Sequence, residues 1–284
     1  MRPYRSVLYI PAARERAMEK ARTLACDAII FDLEDAVAPD EKAPARALLA
    51  RVLAESDFGA RARIVRINGL GTPWGLQDAA AMAQAAALGA RIDAVLIPKV
   101  TAPQDMDAAA AALPGSDLWA MMETPLAMLN AAAIAAHPRL AGMVMGTNDL
   151  AKDLGSRHRP DRLPLLSGLG LCLLAARAHG RVIIDGVYNA FRDEAGLAAE
   201  CALGRDMGFD GKTLIHPAQI DIANRVFAPD HDELDLARRQ IAAFDAALAQ
   251  GQAVAVVDGK IVENLHIVTA RATLQKAAHI AAMS

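Results

Sequence analysis

Residues 27–35 read DAIIFDLED, an apolar run that ends in three carboxylates. A continuous apolar run of this length, without polar alternation, is typical of a parallel strand that is buried on both faces. Seven further runs rich in Val, Ile, Leu or Met share this pattern, at residues 6–10, 63–67, 93–97, 118–122, 141–146, 181–187 and 211–215. With the first run, bounded at residues 27–33, they predict eight buried strands.

The segments between these runs are rich in Ala, Arg and Glu and have helical character, for example at residues 14–25, 41–54, 76–89 and 192–207. Strands that alternate with helices predict βαβ units and a parallel sheet. Eight such units before residue 216 favour a closed (β/α)₈ TIM barrel, an α/β fold of about this size. An open, doubly wound parallel sheet is the alternative.

The pattern changes after residue 216, where the predicted barrel is complete. Helical segments at residues 217–226 and 231–250 precede an apolar stretch at 253–263, which predicts a hairpin that turns at Asp258-Gly259. A last helix is predicted from about residue 266. We therefore expect a barrel domain at 1–216 and an extension at 217–284, which has too little apolar surface for a core of its own. It is expected to pack on the barrel or on a neighbouring subunit.

The composition limits the partners of this chain. Of its 284 residues 54% are hydrophobic and 22% are charged, and the net charge is −3, which offers no basic field for nucleic acid and predicts no membrane partner. A local basic patch for a phosphorylated ligand stays open. The three cysteines, Cys26, Cys172 and Cys201, are widely spaced and predict neither a disulfide framework nor a zinc site. These features predict a cytoplasmic protein.

Polar residues follow the carboxyl end of each predicted strand, which is the end where TIM barrels carry their chemistry. They are Arg14, the group Asp32, Glu34 and Asp35, the pair Arg66 and Asn68, Lys99, Glu123, the pair Asn148 and Asp149, Asp185, and His216. The amino-terminal ends of the predicted strands carry fewer polar residues. The sequence therefore predicts an active site at this rim of the barrel.

Glu123 and Asp149 follow two apolar strands and are expected to meet at the rim. Two neighbouring carboxylates must bind a cation or share a proton. Oxygen ligands without cysteine or paired histidines suit Mg²⁺, whose remaining ligands are water and substrate oxygens. The alternative is that Asp149 merely caps the helix that follows it.

Arg66 lies within the apolar run IVRI, where a buried guanidinium needs an anionic partner. It is expected either to clamp a substrate carboxylate or thioester oxygen, or to form a salt bridge with Glu34 or Asp35. Those two carboxylates would then orient Arg66 and metal-bound water. The sequence indicates a binding role less strongly for three further basic residues. Arg14 and Lys20 on the first predicted helix could bind phosphates or simply be solvated, and His216 could contact a ligand.

Taken together, these motifs resemble the HpcH/HpaI aldolase and citrate-lyase β-subunit-like family of CoA-ester lyases. The resemblance spans essentially the whole chain and is specific because many blocks carry it. They are RSVLYIPAARER, DAIIFDLEDAVAPDEKAPAR, RIVRINGLGTPWG, AVLIPKV, MMETPLAMLNA, MVMGTNDLAKDLG, IIDGVYNAFRD, GFDGKTLIHPAQI and DGKIVENLHI.

The resemblance implies a Mg²⁺ ion held by Glu123 and Asp149, with Arg66 positioning the acyl group of a CoA-thioester substrate. It also implies a homo-oligomer, trimer or hexamer, in which the C-terminal arm closes a neighbour's site. The implied contacts to substrate or CoA are Tyr9, Arg14, Lys20, the backbone near Asn148, Ile215 and His216.

Within the family the chain is most similar to the malyl-CoA group, and in particular to its members that hydrolyse (3S)-malyl-CoA to (S)-malate and CoA with Mg²⁺. Lyases of the family carry an Asp in the C-terminal hairpin motif as acid/base, where this chain has Glu263. Glu263 is therefore the candidate general base for the attacking water. The alternatives are a malyl-CoA/β-methylmalyl-CoA lyase that releases glyoxylate, a citrate-lyase-type β subunit that uses a carrier protein, and a non-catalytic CoA-ester binder.

Overall fold

A computed structural model describes residues 2–283 of the chain, so the outer limits of the predicted domains, residues 1 and 284, lie outside the described residues. These residues form two compact units: one is Tyr4–Asn224, and the other comprises residues 2, 3 and 225–283. Among the described residues, no helix has the length and apolar character that crossing a membrane requires.

Eight parallel strands in the first unit close into the barrel that the eight apolar runs predicted. They are Ser6–Pro11 (β1), Ala28–Asp32 (β2), Ala62–Arg66 (β3), Ala94–Ile97 (β4), Leu118–Met122 (β5), Leu140–Met145 (β6), Val182–Asp185 (β7) and Gly211–Leu214 (β8). The first strand pairs with the last, with Ser6 opposite Lys212. This pairing rules out the open sheet.

Helices connect the strands, as the alternating pattern predicted. They are Glu15–Ala21 (α1), Lys42–Glu55 (α2), Gly75–Ala87 (α3), Pro103–Ala112 (α4), Pro125–Leu129 (α5), Ala131–Ala135 (α6), Thr147–Asp153 (α7), Leu166–Ala178 (α8) and Glu194–Met207 (α9). A further helix, Ile220–Phe227 (α10), crosses the division between the two units.

The strands are apolar throughout because most of their side chains are buried on both faces of the sheet. All five residues of β2 are buried, and so are all five of β3 and of β5. Alternate residues of seven strands, among them Ile30, Ile64 and Trp119, form one apolar cluster. Gly142 on β6 leaves room for Trp119, since a Cβ atom at that position would lie 2.5 Å from the indole ring.

The second unit contains the predicted helix-hairpin-helix sequence. It consists of His231–Ala249 (α11), the antiparallel strands Ala255–Val257 (β9) and Lys260–Val262 (β10), and Asn264–Met283 (α12). Asp258 and Gly259 have φ angles of 50° and 73° at the hairpin turn, as a two-residue turn of this kind requires. Apolar side chains that include Phe244, Val262 and Ile267 form a small core of this unit. The expectation that the extension has too little apolar surface for a core of its own was therefore wrong, because residues of its helices and hairpin are buried against one another.

Strand register decides which polar residues become neighbours at the carboxyl-terminal rim. Asp32, the last residue of β2, is paired with Arg66, the last residue of β3. Met122 is likewise paired with Met145, so the residues that follow these strands, Glu123 and Gly146, lie side by side.

Candidate active site

Glu123 is held in place by the backbone of two neighbouring loops. Its side chain is only 1% exposed, and Oε1 accepts a 2.7 Å hydrogen bond from the backbone N–H of Lys99. Lys99 has a φ of 53°, a left-handed conformation that is uncommon for a residue with a side chain. On the other side Gly146 packs closely, because a Cβ there would lie 2.3 Å from the Cβ of Glu123.

The carboxylates of Glu123 and Asp149 meet at a single cation, the ammonium of Lys99. Its Nζ lies 2.7 Å from Asp149 Oδ1 and 3.6 Å from Glu123 Oε2. Burial raises the pKa of Glu123, and the contacts with Lys99 oppose that shift. Partial burial favours the neutral amine, but the hydrogen bond to Asp149 and the charge of Glu123 outweigh it and raise the pKa of Lys99. The structure therefore brings the predicted pair together around a positive charge.

The carboxylate pair fits a divalent cation by its chemistry. Both side chains offer oxygen ligands, and the ammonium between them shows that the position suits a positive charge. Within residues 2–283, no group of three or more His, Cys, Asp or Glu side chains could hold a metal. Asp149 lies in the first turn of α7, which begins at Thr147, and is not its N-cap.

Arg66 is the centre of a buried ionic cluster. Its Nε and Nη2 donate to the two oxygens of Asp32 at 2.8 and 2.6 Å, and Nη1 lies 2.8 Å from Glu34 and 3.3 Å from Asp35. The guanidinium also lies 5.0 Å from the ring centroid of Tyr9. The expected salt bridges with Glu34 and Asp35 are present. The bidentate partner of Arg66, however, is Asp32. The sequence predicts Asp32 at the rim but does not predict its contact with Arg66.

Glu34 titrates abnormally in this cluster. Burial raises the pKa of Glu34 to about 8; Arg66 opposes the shift, whereas the charges of Asp35, Glu123 and Asp32 add to it. A carboxyl group with such a pKa carries its proton for much of the time at neutral pH. It can therefore accept or donate a proton there, which an ordinary glutamate does poorly.

The carboxylate pair, together with Arg66 and its partners Asp32 and Asp35, lines one cavity of about 280 Å³ at the carboxyl-terminal end of the barrel. Its wall therefore includes both parts of the predicted site, the carboxylate pair and the arginine cluster. Glu34 and Lys99 are not part of this wall. The sequence-predicted residues that line the cavity are Tyr9, Asp32, Asp35, Arg66, Glu123, Asn148, Asp149 and Ile215. Asn148 reaches across to Asn189, and the two side-chain amides exchange hydrogen bonds of 3.2 and 2.8 Å.

Three predicted binding residues do not line this cavity. Arg14 immediately precedes α1 and Lys20 lies in its last turn, and both are exposed. His216 is also exposed; its ring stacks on Phe191 at 4.6 Å between centroids.

Glu263 belongs to the other unit, directly after β10. Its side chain is exposed, and its backbone N–H donates to Nδ1 of His266 at 3.0 Å.

The sequence predicts that Asp185 belongs to the polar rim, whereas in the structure Asp185 takes part in a separate buried ion network. Its carboxylate binds the guanidinium of Arg162 and the ammonium of Lys212, which also pairs with Glu200 at 2.6 Å. Burial opposes ionisation of Asp185, yet the two cations hold its pKa below the ordinary range. These contacts fix the loop that contains Arg162 to strands β7 and β8.

The chain matches the family model of HpcH/HpaI aldolase/citrate lyase over residues 5–217. It is 69% identical over 280 residues to the (3S)-malyl-CoA thioesterase of Cereibacter sphaeroides, with 99% of this chain and 96% of that protein covered. Citrate lyase subunit beta of Escherichia coli is 35% identical over 288 residues, with 97% and 94% covered. The crystal structure of protein CitE from Mycobacterium tuberculosis in complex with magnesium, acetoacetate and coenzyme A superimposes with a TM-score of 0.81 at 31% identity, covering 97% of this chain and 98% of that one.

Proposed function

Because the chain belongs to the HpcH/HpaI aldolase/citrate lyase family, we propose that it is a Mg²⁺-dependent thioesterase that hydrolyses (3S)-malyl-CoA to (S)-malate and CoA. The observation that carries this proposal is the 69% identity to a (3S)-malyl-CoA thioesterase over 99% of the chain. Identity to citrate lyase subunit beta, a component of a lyase, is about half as high at 35%. The complete carboxylate pair and arginine cluster argue against a non-catalytic binder.

Glu123 and Asp149 are the residues that would hold the Mg²⁺ ion. When bound, Mg²⁺ supplies a Lewis acid that polarises the thioester carbonyl. The CitE structure with magnesium and coenzyme A supports this choice of metal. The backbone N–H of Lys99 orients the carboxylate of Glu123 for this role, since it occupies Oε1.

Arg66 positions the acyl group of the substrate. Asp32 fixes the plane of its guanidinium with two hydrogen bonds, and Glu34 and Asp35 hold its third nitrogen. A guanidinium so restrained loses little further freedom when it binds a carboxylate or thioester oxygen. Glu34 and Asp35 thereby contribute to catalysis by orienting Arg66.

The rest of the CoA ester extends out of the cavity, which is too small at about 280 Å³ for the whole molecule. Tyr9 on β1 lines the cavity, and Arg14, directly before the helix that follows this strand, and Lys20, within that helix, lie on the surface. We assign these two cations to the phosphates of CoA. The backbone near Asn148, together with Ile215 and His216, completes the proposed CoA contacts.

Glu263 is the proposed general base that deprotonates the attacking water. Its exposed position after the hairpin fits a group that acts on a substrate bound by another part of the assembly. We propose that the assembly is a homotrimer or hexamer, in which the extension closes a neighbour's site, and that the protein is cytoplasmic.

One product assay tests the proposed reaction. Purified protein is incubated with (3S)-malyl-CoA and Mg²⁺, and free thiol, malate and glyoxylate (trapped with phenylhydrazine) are measured. We expect equal amounts of thiol and malate without glyoxylate, and no turnover with EDTA or in the Asp149→Ala variant. Glyoxylate together with acetyl-CoA would instead identify a malyl-CoA lyase, and near-full activity of Asp149→Ala would contradict the metal assignment.

A further inference from the structure

Lys99 touches the proposed metal ligands in two independent ways. Its backbone N–H donates to Glu123 Oε1 at 2.7 Å, while its side-chain Nζ lies 2.7 Å from Asp149 Oδ1 and 3.6 Å from Glu123 Oε2. The side chain is 45% exposed, whereas that of Glu123 is 1% exposed. The ammonium is thus the exposed part of a contact whose other partner is buried.

The backbone of Lys99 is specialised for this arrangement. Its φ of 53° places a residue with a side chain in the left-handed region, a strained conformation that persists where surrounding contacts hold it. The hydrogen bond from its N–H to Glu123 is such a contact. A glycine would adopt the same backbone without strain, so the conformation does not by itself explain a lysine.

We propose that Lys99 is the internal counter-cation of the carboxylate pair and competes with the divalent cation for it. In the metal-free protein its ammonium offsets part of the negative charge of Glu123 and Asp149 and keeps the two side chains together. Two cations cannot share this small site without strong repulsion, so the ammonium leaves the pair when the metal binds. The flexible four-carbon stem and the exposed side chain of Lys99 allow this exchange, while its N–H continues to orient Glu123.

This inference rests on the proposed Mg²⁺ site and deepens it, because it makes Lys99 the residue that sets the metal affinity. A positioning residue that only stabilised the ligands would strengthen metal binding. A competitor must weaken it. Removing the ammonium should therefore increase the metal affinity if Lys99 is a competitor and decrease it if Lys99 only positions the ligands.

The test is a titration of the full-length protein with Mn²⁺, followed by the EPR signal of the free ion, with calorimetric titration of Mg²⁺ beside it. Lys99→Met and Lys99→Gly both remove the ammonium and keep the backbone N–H, and glycine also relieves the left-handed strain. We expect both variants to bind the metal about tenfold more tightly or more, which is the scale of one lost charge-assisted contact. Lys152→Met is the control, because it removes the same charge from an exposed position on α7, three residues after Asp149. It should change the affinity by less than about twofold, since it lies outside the contact.

Thermal unfolding in EDTA provides a second readout that does not depend on metal affinity alone. Lys99→Met should unfold at a lower temperature than the parent without metal, because the two carboxylates lose their counter-charge. Mn²⁺ should raise its Tm by more than it raises the parent's. Unchanged or weaker metal binding by folded Lys99→Met and Lys99→Gly would overturn the inference and leave the Mg²⁺ site intact. Failure of the parent and of both variants to bind metal would instead overturn the proposed site itself.

Discussion

Replacing Gly146 by alanine should displace the carboxylate of Glu123 without changing any charged or polar group. Gly146 follows β6, and a Cβ atom there would lie 2.3 Å from the Cβ and 2.7 Å from Oε2 of Glu123. Ordinary van der Waals contact begins at 3.4 Å, so one of the two residues must move by about 1 Å. Gly146 is held by a 2.9 Å hydrogen bond from its N–H to Met122 O, and Glu123 by a 2.7 Å hydrogen bond from the N–H of Lys99. Whichever of the two residues shifts, the Glu123 carboxylate is displaced relative to Asp149.

The expected cost has two parts. Inserting a methyl group into a packed site costs about 1–3 kcal/mol of folding free energy. A misplacement of about 1 Å in a catalytic group can reduce the rate on the order of 100-fold. We therefore expect Gly146→Ala to fold, to unfold at a lower temperature, and to lose about two orders of magnitude in kcat for malyl-CoA hydrolysis.

Gly170→Ala is the matched control for this variant. Gly170 lies within α8, and a Cβ atom there would meet nothing within 4 Å, so the same methyl group should raise helix stability slightly and leave turnover unchanged. Activity and Mn²⁺ affinity are measured on both variants, with circular dichroism to establish folding. A folded Gly146→Ala protein with parental turnover and metal affinity would refute the argument that the glycine sets the position of Glu123.

Three further predictions concern the arginine cluster and the C-terminal unit. Arg66→Lys keeps the charge but cannot form the bidentate contact with Asp32, so kcat/KM should fall about 100-fold or more; parental kinetics would contradict the positioning role. Burial raises the pKa of Glu34 from 4.5 to about 8 in the folded protein. Between these two values the folded protein keeps a proton that the unfolded chain has lost, so the free energy of unfolding falls as the pH rises towards 8. Glutamine does not titrate, so the free energy of unfolding of metal-free Glu34→Gln, measured with urea, should increase relative to that of the parent by up to about 1.4 kcal/mol per pH unit between pH 5 and pH 8. A difference that stays constant over this range would argue against the raised pKa. Glu263→Gln should lower kcat about 100-fold with metal affinity unchanged, and near-full turnover would exclude Glu263 as the general base.

Burial on both faces is the physical reason that the barrel could be predicted from the sequence. A parallel strand such as β2, with all five residues buried, excludes polar side chains until it reaches the rim, so each strand is visible as an apolar run that ends in polar residues. The bounds differ from the prediction by one or two residues at most strands, as for 27–33 against Ala28–Asp32. The hairpin turn at Asp258-Gly259 was equally visible, because positive φ angles favour these residue types.

The same reasoning identified Glu123 and Asp149, because carboxyl ends of neighbouring parallel strands must meet at one rim. The sequence alone thus determined the fold class, the end of the barrel that carries the polar groups, and the two carboxylates there. Family resemblance, and not periodicity or spacing, added CoA, malate and hydrolysis.

Only the tertiary structure decided which of the rim residues contact one another. Asp32 became the bidentate partner of Arg66 through the register between β2 and β3, which no local pattern encodes. Lys99 lies between Glu123 and Asp149 because of a left-handed backbone conformation, which the residue type lysine does not predict. Burial pattern and residue type act along the chain and can be read from it, whereas register, loop conformation and side-chain contacts depend on how separate strands close into one barrel.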